Sequence, residues 1–286
     1  MQKADKTFEF KGSMIRRMFL LAGILLALVL LTACGTPETQ ENSENPAPVT
    51  QLPSQVVDGM KLLHEKNYEA AMSTVLAFLA TEPDNTDALS AMSLIYVKLG
   101  RLTDASQLAK RSLEIDPDQS LPYSVLSRAK FQTSGFEEAL DLARQALRID
   151  PNSYLAYQLI GEVYLRQGLN KDALTVFKEA IKLEPNDPEI LNLLGSGYIK
   201  SNQHDNALPI LLKAQEIDPN LAGVNFNLAV VYAESQDGVK AMKHIDIAEH
   251  LYTQAENKPW MAKTRDIKRL LAQKFEFTPD DITNKF

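Results

Sequence analysis

The chain has 286 residues, with 30 Lys or Arg against 37 Asp or Glu, so its formal net charge is −7. Apolar residues make up 45%, which is typical of a globular protein and argues against a collagen-like or largely disordered chain. The negative charge argues against nucleic-acid binding, because contact with a duplex needs a basic surface. A single Cys excludes an internal disulfide and a Cys-based zinc cluster.

Residues 1–33 have the features of a secretory signal peptide. Basic residues outnumber acidic ones before an uncharged apolar run from Met18 to Leu31. This run is shorter than the roughly 20 residues that a membrane-spanning helix needs, which favours a signal that is removed. An uncleaved signal anchor is the alternative. The protein could start at Met1 or at Met14. Arg16-Arg17 also leaves the twin-arginine export route open as an alternative to general secretion.

The signal ends in Leu31-Thr32-Ala33-Cys34, which resembles the lipobox of bacterial lipoproteins. In that family the Cys thiol is diacylated and the signal is cut just before it. The resemblance therefore implies that Cys34 carries lipid, and two or more acyl chains hold a protein stably at a membrane. Gly35 follows where an Asp would favour the inner membrane. We expect a lipoprotein of the outer membrane facing the periplasm, although the membrane and its face stay open.

Residues 34–53 read as a lipidated Cys followed by a tether. From Gly35 to Pro53 the chain has three Glu and four Pro, with no aromatic or basic residue. Such a segment cannot bury enough apolar surface to order itself. We expect a disordered acidic spacer between the lipid and the folded part.

The body of the chain, residues 54–255, repeats every 34 residues. One Pro recurs at each step, and one Ala follows the same spacing. These columns are Pro83, Pro117, Pro151, Pro185 and Pro219, and Ala71, Ala105, Ala139, Ala173, Ala207 and Ala241. A fixed period of this length is the mark of a stacked repeat architecture.

Each unit predicts two helices. In the fourth unit, Tyr157, Ile160, Gly161 and Tyr164 lie three or four residues apart, as on one face of a helix. Gly168 breaks that helix, and a second apolar stripe from Ala173 to Ile181 follows. The small Gly161 and Ala173 are expected where the paired helices approach closely.

These columns resemble those of the tetratricopeptide repeat family. The resemblance implies an all-α, right-handed solenoid of about six helix–turn–helix repeats. Thr253 stands where the sixth unit should have its Pro, so its second helix can continue. Four Tyr in a shared column are expected to belong to the core, namely Tyr96, Tyr164, Tyr198 and Tyr232.

Residues 256–275 predict a capping helix, which covers the last repeat through Trp260, Leu271 and neighbouring apolar residues. Residues 276–286 read as a loose tail. The other side of the capping helix is basic and consists of Lys258, Lys263, Arg265, Lys268, Arg269 and Lys274. We interpret it as a solvated face, with docking of an acidic partner or anionic lipid as the alternative.

No catalytic signature is found. The chain lacks the HExxH, GxSxG, Walker and GxGxxG motifs. His244 and His250 are six residues apart, which places them on different faces of one helix. We therefore predict no enzyme, catalytic residue, metal, cofactor or small-molecule substrate.

The resemblance implies that the first helix of each repeat lines a concave groove that binds protein partners. The predicted groove residues are Lys98, Ser124, Arg128, Phe131, Gln158, Glu162, Arg166, Asn192, Ser196, Lys200, Phe226 and Asn227. Lys98, Arg166 and Lys200 share one column and make a mildly positive edge. Asn192 and Asn227 are expected to bond a partner's backbone through both groups of each amide.

Lipoproteins with about six such repeats suggest settings for this protein. The favoured setting is assembly of a pilus or secretion system, as with type IV pilus pilotins and tight-adherence pili. The alternatives are exopolysaccharide export, an adaptor for cell-wall hydrolases, or a self-assembling structural spacer. In every setting we expect a membrane contact through lipid, and in every setting but the last we expect protein partners in the groove.

Overall fold

The computed structural model describes residues 52–278, and this part of the chain consists of thirteen α-helices without a β-strand. The predicted all-α class is confirmed. The signal peptide, Cys34, nearly all of the tether and residues 279–286 lie outside the described residues.

Twelve helices form six consecutive pairs, each joined by a short turn. The pairs are α1 (Ser54–His64) with α2 (Tyr68–Leu79), α3 (Thr86–Lys98) with α4 (Leu102–Ile115), α5 (Ser120–Gln132) with α6 (Phe136–Ile149), α7 (Tyr154–Arg166) with α8 (Asn170–Leu183), α9 (Pro188–Lys200) with α10 (His204–Ile217), and α11 (Ala222–Glu234) with α12 (Gly238–Gln254). The last helix, α13 (Lys258–Lys274), follows the sixth pair. We call the odd-numbered helices α1 to α11 the first helices and their partners the second helices.

Side-chain caps begin several of these helices. Before α9, the Asp187 carboxylate accepts bonds from the amides of Glu189 at 2.8 Å and Ile190 at 3.0 Å, and Pro188 occupies the first turn. Before α3, the Asn85 side chain accepts a bond from the Ala88 amide at 3.0 Å. These contacts satisfy amides that have no partner inside the helix.

The helix–helix packing depends on small residues. Every Ala of the 34-residue column is fully buried. A Cβ placed on Gly161 would lie 2.5 Å from the ring of Phe177, so only Gly lets α7 approach α8 this closely. Gly195 stands in the same relation to Leu211. The predicted close approach at Gly161 and Ala173 is confirmed, and the four column Tyr pack against the core clusters.

Helix α13 covers the end of the array. Trp260 meets Phe226 edge to face at 5.2 Å, and Leu271 and Phe275 pack into the same cluster. The predicted capping helix is confirmed. Among residues 52–278, each helix is too short or too polar to serve as a transmembrane span.

Candidate functional site

The first helices pack side by side and together line two cavities. The N-terminal cavity, of about 380 Å³, lies between α3, α5, α7 and α9, and Leu221 also lines it. The C-terminal cavity, of about 480 Å³, lies between α7, α9 and α11 and reaches Tyr252, Trp260 and Lys263. Glu162, Asn192 and Leu193 line both cavities, so the two form one continuous groove.

All twelve predicted groove residues line one of these cavities. Lys98, Ser124, Arg128 and Gln158 line the N-terminal cavity. Phe131, Arg166, Ser196, Lys200, Phe226 and Asn227 line the C-terminal cavity, and Glu162 and Asn192 line both. The structure brings these residues together, and their contact with a partner stays a prediction.

An ion pair forms part of the wall of the N-terminal cavity. The Arg128 guanidinium donates two bonds to the Glu162 carboxylate, at 2.7 and 2.8 Å, and Gln158 donates a third at 2.9 Å. Burial opposes the charge on Arg128, but the carboxylates of Glu162 and Glu189 outweigh it and raise the arginine pKa. Arg128 and Glu162 are 34 residues apart, so the same position of neighbouring repeats carries opposite charges. The pair is part of the wall, because its groups already satisfy each other.

The two groove asparagines bond each other. The Asn227 amide nitrogen donates to the Asn192 side-chain oxygen at 2.8 Å. This bond takes one N–H donor of Asn227 and one lone pair of Asn192, because the α9–α11 approach brings the two side chains within hydrogen-bond distance. The Asn192 nitrogen and the Asn227 oxygen take no part in it, and bonding of a partner's backbone by the two amides stays a prediction.

The three residues of the predicted positive edge, Lys98, Arg166 and Lys200, make different contacts. Lys98 pairs with Glu189 at 2.9 Å, because the curvature of the array brings α3 opposite α9. Arg166 instead lies 5.6 Å from the ring centre of Phe131, and Lys200 donates to the Leu165 carbonyl at 3.2 Å. The positive charge of this edge is therefore concentrated in the C-terminal cavity.

The sequence did not identify Lys263, Trp260 and Tyr252 as groove residues. Tyr252 stacks on Trp260 at 5.3 Å, and burial raises the pKa of its phenol to about 12. Lys263 lies 4.3 Å above the Trp260 ring and 4.9 Å from that of Phe226. The apolar pattern of residues 256–275 predicted a cap, but not which side chains of the cap reach the groove.

The other basic residues of α13 mostly pair with carboxylates. Arg265 bonds Glu249 at 3.0 Å, and Lys268 contacts both Asp246 and Glu249. These contacts bind α13 to α12. Five of the six basic residues of α13 are nevertheless exposed, in agreement with the predicted solvated face, and the carboxylates of α12 are partners that the helical pattern of α13 alone could not reveal.

The first repeat approaches the fifth across the groove. Lys66, in the turn between α1 and α2, pairs with Asp218 at the end of α10. This pair and Lys98–Glu189, which joins the second repeat to the fifth, line a third cavity together with Leu63, Tyr68 and Ile217 among others. The groove is thus bridged at its N-terminal end. Within residues 52–278, no group of His, Cys, Asp and Glu is placed to hold a metal ion.

Comparison with known proteins agrees with this architecture. A family model described as tetratricopeptide repeat matches residues 62–129 and 135–196, and a second with the same description matches residues 188–221. Together these ranges cover more than half of the chain. The comparison with curated proteins gives no match.

Three solved structures illustrate the similarity. A chain of the APC/C hetero-tetramer Cut9–Hcn1 has a TM-score of 0.61 and 16% identity over 74% of this chain, which spans 42% of that chain. For pilF of Pseudomonas aeruginosa the TM-score is 0.54 at 15% identity, covering 75% of this chain and 96% of that one. TTC0263, a thermophilic TPR protein of Thermus thermophilus, has a TM-score of 0.52 at 26% identity. The match covers 64% of this chain and 97% of that one.

Proposed function

Because the chain belongs to the tetratricopeptide repeat family, we propose that it is a non-enzymatic adaptor that binds protein partners in its groove. The fold itself suggests a scaffold for protein–protein interaction. The observation that carries the proposal is the continuous groove, whose walls come from five consecutive first helices and the cap. Its length suits an extended or helical segment better than a small molecule, because it is open along several repeats.

Binding in the groove is tested by a substitution that places a larger side chain inside it. Leu193 is half-buried and lines both cavities, so Leu193→Arg places a long cationic side chain where a partner would lie. Leu212→Arg, on the exposed side of α10, is the matched control. Pull-downs from detergent-solubilised membranes, quantified by mass spectrometry, should show partners that Leu193→Arg loses and Leu212→Arg keeps.

Equal recovery of the same proteins by the parent chain and both variants would refute binding in the groove. Circular dichroism and the thermal midpoint show whether each variant is folded. A folded Leu193→Arg chain that retains every partner leaves the proposal without support.

The proposed adaptor is held at a membrane by lipid on Cys34. Support for this part comes from the signal-like residues 1–33 and the Leu31-Thr32-Ala33-Cys34 sequence. Cys34→Ser removes the only thiol of the chain and should shift the protein from the membrane pellet to the soluble fraction, with loss of incorporated radioactive palmitate. If the Cys34→Ser protein stays in the membrane pellet, the membrane contact is made by an uncleaved signal anchor and not by lipid on Cys34.

For the setting, we favour assembly of a pilus or secretion system at the outer membrane. The signal, the lipobox-like sequence and the number of repeats support it, while pilF at 15% identity shares the fold alone. Recovery of secretin or pilus proteins in the pull-down would support this setting. Recovery of polysaccharide-export proteins or cell-wall hydrolases would favour those alternatives, and recovery of the chain alone would favour a structural spacer.

A further inference from the structure

The C-terminal cavity holds three cationic side chains that no carboxylate neutralises. Arg166, Lys200 and Lys263 are exposed, and none of them forms an ion pair within residues 52–278. Glu162 is the acidic residue among those lining this cavity, and Arg128 and Gln158 already occupy its carboxylate. On a chain with a net charge of −7, this cluster is an unbalanced positive site.

The three cations repel one another. Burial, and then the charges of Lys200 and Arg166, lower the pKa of Lys263. An anionic group placed between them would relieve this repulsion, and it would do so without disrupting an existing ion pair. By contrast, a ligand at Arg128 or Lys98 would compete with Glu162 or Glu189.

The remaining lining suits a polypeptide. Leu193, Ile199 and Val230 are only half-buried, so they leave apolar surface inside the cavity. Asn192 and Asn227 keep one hydrogen-bonding group each beside this surface. Charge, apolar contact and backbone bonding are therefore available together along neighbouring first helices.

Resting on the adaptor function proposed above, we infer that this cavity binds an acidic segment of the partner protein that also carries apolar side chains. The carboxylates of the segment lie between Arg166, Lys200 and Lys263, and its apolar side chains contact Leu193, Ile199 and Val230. Lys263 belongs to the capping helix, so the cap completes the binding site as well as covering the last repeat.

The test uses the full-length protein in detergent and a fluorescein-labelled peptide of about ten residues that alternates Glu with Leu or Phe. Both peptide ends are blocked, so no terminal carboxylate contributes. Fluorescence anisotropy should show about tenfold tighter binding than for the same peptide with Gln in place of Glu. The affinity should also fall as salt rises, because exposed charges are screened.

The decisive variant reverses the cluster, as Arg166→Glu, Lys200→Glu and Lys263→Glu together. A control reverses the same number of Arg and Lys residues on second helices outside the groove, as Arg148→Glu, Lys110→Glu and Lys171→Glu. The cluster variant should lose about tenfold or more in affinity, and the control should change it by less than about twofold. If the cluster variant does not fold, Lys263→Gln replaces it, because this exposed side chain forms no hydrogen bond or ion pair with described residues.

Equal binding of the Glu and Gln peptides would overturn the inference, as would equal losses in the two triple variants. Cosedimentation of Cys34→Ser protein with phosphatidylglycerol but not phosphatidylcholine vesicles, lost in the cluster variant while the peptide fails to bind, would assign the site to lipid instead. A partner that Leu193→Arg loses and the cluster variant retains would refute the acidic segment while leaving the groove in place.

Discussion

At the residue scale, the close contacts of this fold depend on positions where a side chain must be absent. The ring of Phe177 occupies the space beside Gly161 that a Cβ would need. The turn between paired helices makes a different demand, because every 34 residues one residue has a positive φ, which favours Gly without requiring it. Gly fills only two of these positions, Gly100 and Gly168, and the others are Lys66, Ser134, Asn202 and Gln236. The positive φ therefore recurs in every repeat, although the type of residue that adopts it changes.

Gly161→Ala tests the close approach. The added methyl would overlap Phe177, so the pair α7–α8 must separate or the ring must move, at a cost of about 1–3 kcal/mol. Thermal unfolding followed by circular dichroism should show a clearly lowered midpoint, and Phe177→Leu in the same chain should recover part of it.

Gly135→Ala is the matched control for this prediction. Its new Cβ would meet the Lys130 carbonyl at 3.4 Å, and its φ is negative, so the midpoint should hardly change. Equal effects of Gly161→Ala and Gly135→Ala would contradict the steric explanation.

At the scale of the element, the ends of the array differ from its middle. The second helices α4, α6, α8 and α10 each have 14 residues, whereas α12 has 17 and ends at Gln254. Thr253 in place of Pro permits this extension, as predicted. Glu249, which lies in the first fourteen residues of α12, contacts Arg265 and Lys268 of α13.

A buried polar group also joins α12 to its neighbours. His244 lies 3.1 Å from the Asn225 side-chain oxygen and stacks on Tyr232 at 5.4 Å. Burial, with Lys243 and Lys240 nearby, lowers the pKa of His244, so its neutral form is favoured in the folded chain. Stability from this group is therefore present above the unfolded pKa and lost as the pH falls below it.

At the scale of the whole molecule, the array curves far enough for its first repeat to meet the fifth. Lys66 of the first repeat pairs with Asp218 of the fifth, and Lys98 of the second repeat pairs with Glu189 of the fifth. Ion pairs between exposed side chains contribute at most about 1 kcal/mol each, and Asp218 is the one member of this bridge that is largely buried. The bridge across the groove is therefore weak.

Reversing the bridge should widen the groove. Lys66→Glu with Lys98→Glu places like charges opposite Asp218 and Glu189, so the first and second repeats should move away from the fifth. For the measurement, Val57→Cys and Leu212→Cys, at two exposed positions of the first and fifth repeats, carry spin labels in the Cys34→Ser chain. Double electron–electron resonance then gives the distance between the two labels. The variant should show a longer and broader distribution, and high salt should shift the parent chain the same way.

Lys61→Glu with Lys171→Glu, two exposed positions outside the bridge, is the control and should leave the distribution unchanged. An unchanged distance in the bridge variant would mean that apolar contacts of Leu63, Tyr68 and Ile217 hold the repeats together instead.

The amino-acid sequence alone determined the repeat and the helices. A 34-residue period and a 3.6-residue helical turn act locally, so the close approach at Gly161 and Ala173 could be placed from spacing, whereas the twelve groove residues followed from the resemblance to the tetratricopeptide repeat family. Only the tertiary structure decided that Lys98 is neutralised, that Asn192 bonds Asn227 and that Lys263 enters the groove. These contacts join residues up to 91 positions apart, and they depend on small rotations between repeats that accumulate along the array. No local sequence pattern encodes these accumulated rotations. The charge of the groove and the ion pairs that bridge it therefore follow from the curvature of the folded chain.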